Sequence, residues 1–494
     1  MSTERRLRRR WWKGWACGAA VLLLAGCLVP KEHRYEEIRK EFGDVVCRLD
    51  PAGSEKGELK VCDPSRPISL EEAIGVARAN NPDNRMAAMR IRRAEALLAK
   101  SEAAFYPGVG FYTEYLQGDA PSAYLFKAID QRKLPPNVDF NDPGWFENYE
   151  TGVRARLNLY NGGRDILQRR MAESGLTVSR LDRAGIENEL VSTVIRSYYG
   201  VLASGEFLEI ARESRKTVAS QLKVMQVQYE GGSLLKSDIL SLRVRLAQAE
   251  EEIIRRENQL QLATTALADV MGVEAGSVRI DPIRTPVAAA LPEDWAEGLA
   301  YAMDHRAEIR KAREEVVRAR TAMDVARAGY FPRVDLDARS YVDDPNAAYN
   351  SERENWTAAV MFQWDLFSGF STRAEVDRSE AALAEALAAD RKVSLAVRTD
   401  VRTAYLNLQE TRARQRVAEA SVASAEESLN LVQVQYQGGS ATVTRYLEVE
   451  LARNRSRTRA AAAYYDQQKA LSEVGRAVGF WAGTETDNAG EPSP

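Results

Sequence analysis

The sequence contains very little histidine and cysteine. Among its 494 residues only two are histidine and four are cysteine, and His33 and His305 lie far apart. Metal centres and Ser–His nucleophiles need several such side chains close together. A phosphate-binding glycine loop followed by lysine, an HExxH motif and a nucleophile elbow are also missing. The sequence therefore predicts no enzyme, no cofactor and no metal site, and a partner must supply the energy for any work.

Aromatic residues are also scarce, and no excess of positive charge is present. Aromatics make up 8% of the chain and charged residues 28%. Such a composition favours long helices with narrow buried stripes over a thick compact core. Removal of residues 1–26 as a signal takes six of the 68 basic residues and one of the 71 acidic ones, which leaves a net charge of −8. This charge gives no support to a nucleic-acid partner.

The first 26 residues have the pattern of a lipoprotein signal peptide. Basic residues between Arg5 and Lys13 precede an apolar run, which ends in Leu24-Ala25-Gly26-Cys27. This ending resembles the lipobox of bacterial lipoproteins, and the resemblance implies that the Cys27 thiol carries a covalent diacyl (palmitate) anchor. Leu28 in the next position favours the outer membrane by the same resemblance. The alternative is an ordinary signal peptide with a chance cysteine.

Two further cysteines, Cys47 and Cys62, lie close together in the sequence. In an oxidising compartment they can form a disulfide, and two free thiols are the alternative.

An internal duplication organises the chain. The motif Tyr229-Glu-Gly-Gly-Ser233 recurs 207 positions later as Tyr436-Gln-Gly-Gly-Ser440. At the same offset, the helical stripe Leu190, Val194, Tyr198, Val201 matches Val397, Val401, Tyr405, Leu408. Upstream, Tyr106-Pro107 matches Phe331-Pro332 at an offset of 225, so the first copy has 18 extra residues between its strands. A period this long is a duplication of a whole structural unit.

Each copy reads as helix, strand, strand, long helix, tight turn and helix. Predicted helices cover 69–104, 163–230, 233–271, 293–328, 371–437 and 441–478, with Ser69 and Glu72 as a capping box at the first start. Predicted strands cover about 107–118, 149–160, 332–342 and 355–367. The long helices of about 68 residues would span about 100 Å. The predicted segments are an anchor and belt at 27–68, repeat one at 69–272, a connector at 273–292, repeat two at 293–480 and a disordered tail at 481–494.

The four strands alternate between apolar and polar residues. In the second strand Val153, Ala155 and Leu157 alternate with Arg154 and Arg156, and in the third strand Arg333, Asp335 and Asp337 share one side. Segments of about ten residues with this alternation are typical of a transmembrane β-barrel, and these five charged residues are the candidate lumen lining. Since about eight strands are the minimum for closure and sheet edges cannot face lipid, several chains must contribute four strands each.

Together these motifs resemble the TolC-like outer membrane factor family over roughly residues 69–480. The resemblance implies a mainly α protein with a transmembrane β-barrel portion, in which three copies form a twelve-stranded barrel and a periplasmic helical tunnel. It also implies an outer-membrane exit duct of a tripartite efflux or type I secretion system. Its expected partners are a periplasmic adaptor, an inner-membrane pump or ABC exporter, and outer-membrane lipid.

By the same resemblance, the two glycine turns lie at the periplasmic tips, where the adaptor docks. They comprise Gly231, Gly232 and Ser233 in repeat one and Gly438, Gly439 and Ser440 in repeat two. Just beyond the turns, Asp238, Arg445 and Glu448 are candidate residues of an aperture gate, with Arg445 expected to pair across protomers. An ordinary solvated helix face is the alternative for these three residues.

Two other functions compete with the channel. A long helical scaffold or adaptor lipoprotein has no need of lipid-facing strands, and an enzyme has no residues here for its chemistry. The long loop of repeat one, from Ala120 to Phe146, is expected outside the cell, where it can cap the pore.

Overall fold

A computed structural model describes residues 34–39, 66–134, 136–139, 141–231, 235–280, 284, 286–287, 290–347 and 351–482. The chain divides into two units, Met1–Glu58 and Leu59–Pro494. In the first unit residues 35–39 form a short helix, and everything below concerns the second. The predictions for the signal peptide, Cys27, the Cys47–Cys62 bridge, Gly232, Ser233 and the tail from 483 lie outside the described residues. For the first two residues of the predicted tail, 481 and 482, the prediction of disorder is wrong, because they belong to the 3-10 helix Phe480–Ala482 and Trp481 is hydrogen-bonded to Asn188 and Ser472.

The described part of the second unit is mainly helical, with one four-stranded sheet. In repeat one the elements are α1 (Leu70–Asn80), α2 (Pro82–Glu102), β1 (Gly108–Gly118), α3 (Pro121–Asp130), β2 (Phe146–Tyr160), α4 (Arg164–Glu230) and α5 (Lys236–Met271). In repeat two they are α6 (Trp295–His305), α7 (Ala307–Arg327), β3 (Arg333–Asp344), β4 (Glu354–Gln363), α8 (Ser371–Gln437) and α9 (Val443–Val478). Apart from α3, the two repeats have the same order of elements.

The prediction of one continuous helix at the start of each repeat is wrong. The Ser69–Glu72 capping box is present, but α1 ends at Asn80 and Pro82 opens α2. Proline has no N–H group and disfavours helical backbone in the residue before it, so Asn81 becomes the cap of a new helix. In repeat two the break falls at Arg306, whose backbone is extended although no proline follows it.

The long helices agree with the prediction. Helices α4 and α8 each have 67 residues, and α5 and α9 each have 36. At 1.5 Å per residue these lengths are about 100 Å and about 54 Å. Each long helix packs against the helix that follows its glycine turn, so α4 with α5 and α8 with α9 form two helical hairpins. No helix in the described ranges has both the length and the apolar character required to cross a membrane.

The strands form one antiparallel sheet in the order β1-β2-β3-β4. Arg156 lies opposite Gly108 on one side and Asp337 on the other, and Asp337 lies opposite Ala359. Strand β2 begins three residues before the predicted start, and β4 ends four residues before the predicted end. In the sheet formed by the described strands, β1 and β4 are edge strands with one unpaired side each.

The duplication is visible in the packing of the core. All eight residues of the repeated stripe are buried, and Val194 and Val401 are fully enclosed. In each repeat the stripe tyrosine donates its hydroxyl to a backbone carbonyl before the first helix, from Tyr198 to Ile68 at 3.2 Å and from Tyr405 to Pro292 at 2.8 Å. The two repeats therefore attach their first helix to their long helix in the same way.

Candidate pore lining and helical tips

The two faces of the sheet differ in polarity as the alternation predicts. Residues opposite each other in register share a face, so β1–β4 have one face with Arg154, Arg156, Arg333, Asp335 and Asp337, here called the polar face. The other, apolar face exposes large side chains to the surroundings. They are Val109, Phe111, Val153, Trp356, Val360 and Phe362, which are 47% to 77% exposed.

The five predicted lining residues form ion pairs on the polar face. Asp337 accepts hydrogen bonds from Arg154 at 2.7 Å and from Arg156 at 3.0 Å. Arg333 lies 2.5 Å from Asp335, which also accepts from Asn158 at 2.8 Å. The arginine side chains remain 41% to 63% exposed and Asp337 only 13%, so the face presents mainly the guanidinium groups to water.

A second charged cluster lies at the end of the sheet where β1 ends and β2 begins, here called the distal end. The opposite end of the sheet leads into the long helices. Glu150 of β2 and Asp343 of β3 are opposite each other on the polar face, and both are buried. Lys127 of α3 lies 2.5 Å from Glu150 and 2.9 Å from Asp343. Glu150 also contacts Arg339 at 3.3 Å and accepts the Tyr112 hydroxyl at 2.7 Å. Helix α3 therefore covers the distal part of the polar face.

The glycine turns close the two helical hairpins. Gly231 caps α4, and its equivalent Gly438 caps α8 with the same backbone angles within 2°. Gly439 has φ of +77°, a conformation that residues with a Cβ rarely adopt. Ser440 completes the turn by donating its backbone N–H and its hydroxyl to the Gln435 carbonyl. Their predicted role in docking remains a prediction.

Polar contacts join the two hairpins near these turns. Tyr436 donates to Gln228 at 3.5 Å, and Gln221 donates to the Tyr446 hydroxyl at 3.2 Å. The two tyrosine rings lie 5.7 Å apart. Burial raises the pKa of both tyrosines, and the nearby Asp238 carboxylate adds to the rise for Tyr436. Both hydroxyls therefore stay neutral to a higher pH than an ordinary tyrosine does.

The three candidate gate residues lie beside these contacts. Asp238 is in the first turn of α5, next to Tyr436. Arg445 and Glu448 form a 3.5 Å ion pair within α9, with both side chains 61% exposed. The structure thus pairs Arg445 within its own helix, and the expected pairing across protomers remains a prediction.

A cavity of about 570 Å³ lies farther along the hairpins, between α4, α5 and α9. Its charged lining comprises Arg245, Arg255, Arg256, Arg455 and Arg459 against Glu251 and Glu252. Behind it, the fully buried Glu450 accepts the Ser214 hydroxyl at 3.2 Å and lies 3.9 Å from Arg245. The groove between the hairpins is therefore positively charged.

Sequence reasoning did not select Lys127, Glu150, Asp343 or the tyrosines that join the hairpins as site residues. The signal for Glu150 and Asp343 was available, because both continue the two-residue alternation of their strands toward the distal end. Lys127 had no such signal, since its approach to β2 and β3 depends on how a loop folds back.

A family model described as "Outer membrane efflux protein" matches residues 73–273 and 299–479. The pyoverdine export outer membrane protein OpmQ of Pseudomonas aeruginosa is 25% identical over 391 residues, covering 77% of this chain and 78% of its own. The probable outer membrane lipoprotein SilC of Salmonella typhimurium is 23% identical over 383 residues, covering 73% and 76%.

Solved structures have the same fold. A membrane protein from Pseudomonas aeruginosa superposes with a TM-score of 0.72 at 20% identity and covers 83% of this chain and 93% of its own. The outer membrane protein VceC of Vibrio cholerae gives a TM-score of 0.69 at 18% identity, covering 83% and 96%.

Proposed function

Since the chain belongs to the outer membrane efflux protein family, we propose that three copies form one passive duct through the outer membrane. The protein is an outer-membrane exit channel. The observation that carries the trimer is the sheet, which has an exposed apolar face, a charged face and two open edges. In lipid every strand edge must be paired and the apolar face must point outward, so the polar face lines the lumen.

The number of copies follows from the strand count. Two chains supply eight strands, which give an interior just filled by side chains. The ion-paired arginines of the polar face remain 41% to 63% exposed and need water around them. Three chains supply twelve strands and leave room for that water.

We further propose that transport is driven from outside this chain, without a catalytic site or a cofactor. A periplasmic adaptor bound at the turns around Gly231 and Gly438–Ser440 and in the arginine-lined groove would couple the duct to an inner-membrane pump or ABC exporter. Support comes from the turn geometry and from the charge of that groove, which suits a partner with acidic residues. Diacylated Cys27 would anchor each copy in the membrane.

The experiment that tests this function is the mass of the purified mature protein in detergent together with its conductance in a planar bilayer. A trimeric mass with a stable conductance is expected. A monomeric mass without conductance would contradict the channel and favour a helical scaffold.

A further inference from the structure

Helix α3 lies against the polar face of the sheet, on the side opposite the exposed apolar residues. Lys127 bridges Glu150 and Asp343 at 2.5 Å and 2.9 Å, and these two carboxylates are opposite each other in register on the polar face. Glu150 is four residues from the start of β2. Its position is therefore about 13 Å along the strand from the distal end of the sheet. The helix is thus seated within the length of the strands.

Other contacts hold α3 across the width of the sheet. Gln131 donates to the Asn148 side chain of β2 at 2.8 Å. Arg132 donates to the Glu354 carbonyl at 3.1 Å, and Asn355 of β4 donates to the Asp130 carbonyl at 3.1 Å. The α3 segment therefore bonds to β2, β3 and β4.

The contact surface between α3 and the sheet, here called the seat of α3, is formed around the buried charges of Glu150 and Asp343. Asp343 has no exposed side-chain surface and Glu150 has only 6%. Buried carboxylates are stable only when they are paired and hydrogen-bonded, and Lys127 contacts both of them. Removal of the Lys127 charge would therefore weaken the seat far more than the loss of an exposed ion pair.

We propose that α3 is an internal plug, which sits inside the barrel near its outer mouth and sets the size limit for exported cargo. The inference rests on the proposed trimeric channel, because only that assembly makes the polar face a lumen. It assigns a specificity-determining role to Lys127 and to the segment that carries it.

The dimensions of the barrel agree with this role. Twelve strands spaced about 4.8 Å apart and tilted by about 40° enclose a cylinder about 24 Å across between backbones. Three helices, each about 10 Å wide, fit in a circle about 22 Å across. Three copies of α3 would thus fill most of the cross-section near the outer mouth.

The plug is an addition to the fold and not a part of its frame. In repeat two the equivalent connection between β3 and β4 spans only residues 345–353, and its described residues contain no α-helix. Strands β3 and β4 pair without such an insert, so β1 and β2 should also pair without α3.

Cysteine labelling from outside intact cells tests the plug. Ala359 lies on the polar face and Ala358 on the apolar face, and both are exposed. Ala359→Cys and Ala358→Cys are made in a full-length chain with Cys47→Ser and Cys62→Ser. Labelling rates are measured with a small charged maleimide and with a bulky polyethylene-glycol maleimide.

The small reagent should label Ala359→Cys readily and the bulky one slowly. Lys127→Gln should speed the bulky reagent about tenfold. Replacement of residues 119–145 by the sequence of residues 345–353 should do the same. Lys133→Gln is the matched control, since Lys133 is exposed in the same segment, and it should leave both rates unchanged.

Two results would overturn the plug, and they are distinguishable. If neither Lys127→Gln nor the replacement speeds the bulky reagent at Ala359→Cys, the plug alone is wrong. If the small charged reagent labels Ala358→Cys but not Ala359→Cys, the polar face is not the lumen, and the proposed channel fails with it.

Discussion

At the residue scale, the tyrosines of the duplicated stripe show how single side chains attach one element to another. Tyr405 is buried and donates to the Pro292 carbonyl, and Gly298 of α6 lies directly against its ring. A Cβ on Gly298 would lie 2.5 Å from the Tyr405 hydroxyl oxygen. The absence of a side chain at position 298 thus allows the close packing of α6 on α8.

Gly298→Ala should destabilise the protein by about 1 to 3 kcal/mol, because the added methyl group forces the buried ring to move. Thermal unfolding would measure the loss. The control is Gly200→Ala in α4, where a Cβ meets no atom within 4 Å. It should be neutral or stabilising by about 0.5 to 1 kcal/mol, because alanine is the better helix former. Equal effects at both positions would contradict the packing argument.

The buried Tyr405 hydroxyl should also make the free energy of unfolding depend on pH. Burial, with smaller effects from Asp294 and Glu297, raises its pKa to about 12 from the ordinary value of 10.0. The folded state favours the neutral hydroxyl, so this contribution is complete below pH 10 and declines between pH 10 and 12. Urea unfolding should show that wild type is about 1 kcal/mol more stable than Tyr405→Phe at pH 8. This advantage should shrink as the pH rises to 12, and a constant difference would refute the assignment.

At the element scale, the break between α6 and α7 is held by an ion-pair network. Arg306 at the break contacts Asp400 of α8 at 2.7 Å and donates to the Ala477 carbonyl of α9 at 3.0 Å. Asp400 also accepts from Arg476 of α9 at 2.8 Å. The Asp400 carboxylate therefore joins the break between α6 and α7 to both α8 and α9.

Asp400→Ala should leave two largely buried arginines without their shared partner and destabilise the protein. Because Asp400 is 30% exposed, we expect a cost of about 2 to 3 kcal/mol, below that of a fully buried pair. Denaturant unfolding measures it. Asp182→Ala is the control, since it breaks the exposed pair with Lys311 and should cost at most about 1 kcal/mol. A similar cost for both variants would argue against the network.

At the scale of the whole molecule, the charges of the polar face matter only if they meet in one lumen. Asp337 balances both Arg154 and Arg156. If the Asp337 charge is removed, every copy in the assembled barrel contributes the same uncompensated positive charge to the lumen.

Asp337→Asn should therefore shift ion selectivity toward anions, because the pore field becomes more positive. The reversal potential across a salt gradient in a planar bilayer measures the shift. Asp324→Asn is the control, because Asp324 belongs to helix α7 and not to the polar face of the sheet, and it should not change the reversal potential. An unchanged reversal potential for Asp337→Asn would mean that the polar face does not line the conducting path.

Much of the fold and part of the site followed from local pattern. The duplication, the long helices, the four strands and the charged face at Arg154 and Asp337 were predictable, because helix and strand periodicities place side chains on faces independently of distant contacts. The repeated Tyr198 and Tyr405 were likewise recognisable as core positions.

What the sequence by itself determined is therefore the order of elements and the face on which each side chain lies. Only the tertiary structure decided where faces meet. The break at Arg306 depends on Asp400 and Ala477, far along the chain, and the seat of α3 depends on Lys127 reaching two strands at once. Such contacts join residues about 20 to 220 positions apart, and no short-range periodicity contains them.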